Sequence, residues 1–123
     1  MQPRRPFRFS KDNRLPDAAS FDRVFEKARR SGDRWFTVLS RSNDLQRARL
    51  GLAISKKHCK RAVARNRLKR IVRESFRQHL RELDGLDIVV MNRAAACDAA
   101  SKELFASLEQ HWLKRMKKTA AGN

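Results

Sequence analysis

The sequence predicts an α/β (α+β) domain in two layers, with three helices packed against one small mixed sheet. Three observations carry this expectation. The hydrophobic spacing switches between helical and extended periods in the order α-β-β-α-β-α. One apolar stripe at helical spacing persists from Ala64 to Leu83. The run Ile88-Val89-Val90-Met91 is unbroken, as expected of a strand covered on both faces. A few helices over a small sheet bury both kinds of pattern.

All three prolines, Pro3, Pro6 and Pro16, lie in the first sixteen residues. Residues 1–16 therefore read as an extended arm, made basic by Arg4, Arg5, Arg8, Lys11 and Arg14 and interleaved with Phe7 and Phe9. Residues 17–30 read as a helix capped by Asp17 or Ser20. Phe21, Val24, Phe25 and Ala28 share one face, and Ser31-Gly32 stops it after Arg29-Arg30. Residues 34–41 are rich in β-formers and read as a strand, followed by a polar hairpin loop at 42–47. In residues 49–55, Leu50, Leu52 and Ile54 point one way, with Gly51 and Ala53 opposite.

Residues 62–83 read as the longest amphipathic helix, closed by Asp84-Gly85. Its polar side carries Lys69, Arg70, Arg73, Arg77 and Arg81. The strand 87–91 follows. A last helix spans about 98–117, with Leu104, Phe105, Leu108, Trp112 and Met116 on one face. Residues 17–118 thus form a single α/β domain, and 119–123 are expected to fray.

Lys and Arg number 30 against 13 Asp and Glu, giving a net charge of +17. A small domain so charged repels itself unless an anionic partner compensates it. Nucleic acid is the first such partner and an acidic membrane surface the second. The 41% apolar share, with seven Phe and two Trp, supplies a core and argues against disorder. No apolar run reaches the ~18 residues of a membrane-spanning helix. The N-terminus lacks the apolar centre of a secretory signal. Cys59 and Cys97 are too few and too scattered for a disulfide framework, and read as reduced thiols of a cytoplasmic protein.

The charge is concentrated. From Lys56 to Arg81 the chain holds eleven Lys or Arg and a single acid, Glu74. A solvated helix mixes charges of both signs at i, i+4, so a one-sign face points to a polyanion. Arg65, Asn66 and Arg67, in the first turns, fan across a wide arc because consecutive helical residues splay by about 100°. Two guanidiniums can hold phosphates bidentately, and the amide between them can donate and accept.

The string Ile54-Ser55-Lys56-Lys57, followed by Ala62-Val63-Ala64-Arg65-Asn66-Arg67-Leu68-Lys69-Arg70, resembles the signature of the bacterial ribonuclease P protein component. That family carries Arg-Asn-Arg at the start of a long helix, after a strand ending in Ser-Lys-Lys. Asn13-Arg14-Leu15, the Phe21 and Phe25 pair, Gly51-Leu52, the 87–91 strand and the closing helix also fall where the family has them. The resemblance covers residues 13 to about 117.

The resemblance implies the small subunit of a ribonucleoprotein endonuclease that removes the 5′ leader of precursor tRNA. The large RNA is then the catalyst, with Mg²⁺ at its active site, and one protein serves each ribonuclease P RNA. The implied fold resembles ribosomal protein S5 domain 2, with a left-handed β-α-β crossover. By position, Lys56, Lys57, Arg61, Arg65, Asn66, Arg67 and Arg70 face the catalytic RNA. Asn13, Arg14, Phe21, Phe25, Lys69 and Arg73, with the exposed sheet face, line the leader cleft. One departure is Leu39, which stands where some relatives have a leader-stacking aromatic.

The residues alone leave Phe21 and Phe25 open between core packing and base stacking. No protein-borne active site is expected. Metal-dependent cleavage needs clustered carboxylates, and Asp84 with Asp87, or Asp12 with Asp17, do not make a convincing pair. His58, His79 and His111 are scattered; His79 reads as packed, and His58 lies within the basic cluster. A ribosomal or other structural RNA-binding protein is the alternative. DNA reading is disfavoured, since helix-turn-helix spacing and dimerisation heptads are absent.

Overall fold

The computed structural model describes residues 11–121. After a 3-10 turn at Lys11–Asn13 come α1 (Ala18–Glu26), β1 (Arg29–Gly32), β2 (Phe36–Ser42) and β3 (Arg49–Ala53). Then follow α2 (Ala62–Arg77), β4 (Leu86–Asn92), a 3-10 turn at Ala94–Asp98 and α3 (Ser101–Ala121). The basic arm expected at residues 1–16 lies mostly outside the described residues. Among those described, no helix is long and apolar enough to cross a membrane.

Asp17 caps α1: its Oδ1 accepts from the Ser20 amide at 3.0 Å and from the Ser20 hydroxyl at 2.8 Å. The helix stops at Glu26, short of the expected residue 30. Arg29 to Gly32 instead form β1, antiparallel to β2 with Ser31 opposite Val38. The helix-ending signals at Arg29-Arg30 give way to sheet pairing. The turn into β2 is fixed by Asp33, whose Oδ1 accepts from the Trp35 and Phe36 amides at 2.9 Å each.

The hairpin expected across 42–47 does not form. The sheet order is β1-β2-β4-β3, so β4 lies between β2 and β3, antiparallel to the first and parallel to the second. The 42–47 loop arches over the start of β4, where Asn43 donates to Gly85 and Gly85 donates to Arg47 through their backbones. Gly85 has φ +87°, a conformation that side chains resist. The central place of β4 matches its continuous apolar run: Ile88, Val89 and Val90 are fully buried.

α2 ends at Arg77 rather than at 83, and turns carry the chain to β4. Leu80 and Leu83 are buried in the same core as the helix, so the apolar spacing outlasts the helix. α2 and α3 cover one sheet face. Trp112 of α3 is fully buried, donates its indole N–H to Ser75 at 2.8 Å and meets Phe76 edge-on at 5.8 Å. On the other face α1 adds partial cover, joining Val24 to Leu15, Leu39 and Val89. A Cβ at Gly51 would come within 2.6–2.7 Å of Leu15 and the Phe21 ring, so only glycine lets α1 sit this close to β3.

The cysteines correct another expectation. Cys59 and Cys97 form a disulfide, with Cα atoms 5.4 Å apart. Because β3 and β4 run parallel as neighbours, the segments that leave them emerge at the same end of the sheet. A separation of 38 residues hid this from the sequence.

Candidate nucleic-acid interface

The turn at residues 55–58 presents Lys56, Lys57 and His58 to solvent. It is closed by Ser55, whose Oγ accepts from the Lys57 amide at 3.0 Å and whose carbonyl accepts from the Cys59 amide at 3.1 Å. Ser55 is itself held by the buried Asn92 at the end of β4, which accepts from the Ser55 amide at 2.6 Å. Neither Ser55 nor Asn92 stood out as a positioning residue in the sequence. The available signal was a polar side chain closing an apolar strand.

Arg61 caps α2 without a side-chain capping bond and lies 3.5 Å from Asp98, both largely exposed. Arg65 and Arg67, two positions apart, are about 200° apart around the helix and flank its buried stripe. Each folds back on the protein. Arg65 Nη1 donates to the carbonyls of Cys59 at 3.0 Å and Lys60 at 2.7 Å. Arg67 Nη2 donates to Ala99 O at 2.6 Å and Ser101 Oγ at 3.1 Å. A guanidinium has five N–H donors, so both keep donors to offer a phosphate.

Asn66 and Arg70 stand exposed between these flanks, and Arg73 continues the outward row with Lys69 half-buried beside it. Among the described residues, Lys69, Arg70 and Arg73 engage no acidic side chain. Glu74, the one acid of the segment, is paired with Arg77, and that contact holds its carboxyl below the usual range. The outer face of α2 is therefore left cationic.

The six leader candidates fall on two faces. Asn13 donates to Ala48 O at 2.8 Å, and Arg14 pairs with Leu50 beside β3. Phe21 is half-buried over Gly51, whereas Phe25 is 48% exposed. Both belong to α1, on one sheet face, whereas Lys69 and Arg73 belong to α2, packed on the other. A ligand touching all six must cross the β3 edge. Leu39 is covered by α1, Phe36 is buried under the opposite helices, and Trp35 is half-buried with Arg34 6.0 Å from its ring.

Asp87, His79 and His111 have other tasks. Asp87 takes two hydrogen bonds from Arg49, both at 2.8 Å, and one from Asn43 at 2.9 Å. His79 Nε2 is 2.5 Å from Glu109. The buried His111 joins β1 to α3: its Nδ1 is 2.7 Å from Ser31 Oγ, and its Nε2 is 3.1 Å from Asp33 Oδ2 without hydrogen-bond alignment. A second basic group went unnoticed in the sequence. Lys27, Arg29, Arg41 and Arg115, with the acids Asp44 and Asp84, line a cavity at the other end of β4. There burial, and then Arg29, push the Arg115 guanidinium below its usual range.

The ribonuclease P family profile matches residues 9–116. A ribonuclease P protein component of Methylococcus capsulatus is 48% identical over 111 residues, 90% of this chain and 87% of that one. One of Thioalkalivibrio sulfidiphilus is 47% identical over 106 residues, 86% of this chain and 88% of that one. Among solved structures, a Staphylococcus aureus RNase P protein mutant with defective mRNA degradation activity superposes with TM-score 0.79 at 37% identity, covering 87% of this chain and 90% of that one. The Thermotoga maritima RNase P protein superposes with TM-score 0.72 at 30% identity, covering 80% of this chain and 94% of that one. With the Arg-Asn-Arg helix, the strand before it and the sheet all inside the matched span, the chain belongs to the ribonuclease P protein family.

Proposed function

We propose that the chain is the RNA-holding subunit of a ribonucleoprotein endonuclease that removes the 5′ leader of precursor tRNA. The observation that carries this reading is the one-sign outer face of α2 and its preceding turn, whose only acid is taken by Arg77. Lys56, Lys57, Arg61, Arg65, Asn66, Arg67 and Arg70 hold the ribonuclease P RNA, one protein per RNA in the cytoplasm. Asn13, Arg14, Phe21, Phe25, Lys69 and Arg73 meet the leader.

The chemistry belongs to the RNA, where Mg²⁺ supplies charge stabilisation. Asp87, one of the carboxylates weighed as a metal site, is engaged by Arg49 and Asn43 rather than offered to a metal.

Binding to ribonuclease P RNA, measured against salt concentration, tests this reading. Arg70→Ala should lower the slope of log K against log salt by about 0.7–0.9, the share of one phosphate contact. Its melting temperature should not change, because Arg70 is exposed. Arg65→Ala should lower both the slope and the melting temperature, since it also opens the loop carbonyls of Cys59 and Lys60. An unchanged slope in both variants contradicts the assignment.

A further inference from the structure

The Cys59–Cys97 disulfide sits among the contacts of the proposed RNA grip. Cys59 lies in the loop between β3 and α2, and Cys97 in the 3-10 turn between β4 and α3. Arg65 is bonded to the Cys59 and Lys60 carbonyls, Arg61 lies near Asp98, and Arg67 is bonded to Ala99 and Ser101. Three arginines assigned to RNA thus hold segments that begin at one cysteine or the other. The covalent tie fixes where the Lys56–Arg61 cations stand relative to the turn that leads into α3. Among the described residues, the one ion pair between the two segments, Arg61 with Asp98, is exposed and adds little in water.

We propose that this cysteine pair is a reversible redox device that sets the strength of the RNA grip, the oxidised form binding more tightly. The proposal rests on the RNA-holding reading above. The co-reactant is a small-molecule thiol. Its thiolate attacks Sγ of Cys97, the half-buried member, and the S–S bond breaks. Cys59, 1% exposed in the core, leaves as a thiolate and takes up a proton. A second thiol attacks the mixed disulfide on Cys97, frees that cysteine and departs as the small-molecule disulfide. The protein gains two electrons and two protons, which the two thiols lose. The reverse reaction consumes a small-molecule disulfide.

With the bond closed, the loop is ordered before RNA arrives, so less conformational freedom is lost on binding. With it open, the loop keeps only hydrogen bonds such as those of Ser55 and Arg65, and the rest of its order must come from the RNA.

The test uses the full chain, equilibrated with either reduced or oxidised glutathione. Free thiols are counted after denaturation, and affinity for ribonuclease P RNA is measured at one fixed salt. The oxidised chain should show no free thiol and the reduced chain two. Reduction should weaken binding by about three- to tenfold, the scale of one or two side chains newly ordered on binding. The chain with Cys59→Ala and Cys97→Ala, and separately Cys97→Ser alone, should bind like the reduced chain whatever the glutathione state. Two free thiols after oxidation, or equal affinity in both states, overturns the redox device while leaving the RNA grip standing. Absence of RNA binding in both states overturns the grip itself, and the device with it.

Discussion

Arg65 and Arg67 show how far single residues can be read. Helical spacing puts both at a helix start and the family resemblance implies an RNA role for them, but their carbonyl partners were invisible because those come from a loop and from the entry to α3. His111 is the opposite case: it looked scattered and proves central. Burial pushes its imidazole below the usual range, with Lys114 and Arg115 acting in the same direction and Asp33 opposing. A base with a lowered folded pKa binds fewer protons folded than unfolded, so its contribution is intact above about pH 6.5 and is lost as pH falls through the folded value. Asp33 titrates in a separate window. Burial raises its carboxyl, but hydrogen bonds from Ser107, Phe36 and Trp35 outweigh that and bring it net below 3.8. The melting temperature should therefore begin to fall below pH 6.5, and His111→Gln should flatten that part of the profile. A profile equally steep in the variant would rule out His111 as the titrating group.

Elements were legible where one pattern had one meaning. β4 and the amphipathic faces of α2 and α3 follow their apolar spacing, because burial on a fixed face is what that spacing encodes. Three features were not legible. β1 is a short polar strand whose order comes from pairing with β2 and from the Ser31 contact to His111. The β2–β3 connection looked like a hairpin because loop length alone does not say that a later strand will fill the gap. The end of α2 was overrun because Leu80 and Leu83 serve the same core from turns. The α1–β3 contact gives a prediction at this scale. Gly51→Ala should push the Phe21 ring and Leu15 outward and destabilise the fold by about 1 kcal/mol, at the low end for overpacking because the colliding atoms are side-chain tips. Thermal or denaturant melting checks it, and equal stability would show that α1 does not rest on Gly51.

For the whole molecule, the net charge of +17 resolves into parts with different tasks. Some cations are consumed within the fold, as Arg49 is by Asp87 and Arg77 by Glu74. Others line the cavity with Arg115 at the start of β4. A further group stands on the turn before α2 and on the first turns of that helix, at the far end of that strand. Seven residues at about 3.3 Å each put roughly 20 Å between the two basic groups. The concentration of charge in 56–81 was plain in the sequence, and so was its meaning for a polyanion. What needed the fold was the division of that charge between self-contacts and outward donors, because only tertiary neighbours decide it.

In the proposed function this chain holds RNA while another molecule cuts it. The most direct measurement is cleavage of a precursor tRNA at low Mg²⁺ by the full chain alone, by ribonuclease P RNA alone and by the two together. The expected result is no leader removal by the chain, slow removal by the RNA and much faster removal by the pair. Cleavage by the protein alone, or a rate for the pair no faster than that of the RNA, would contradict it.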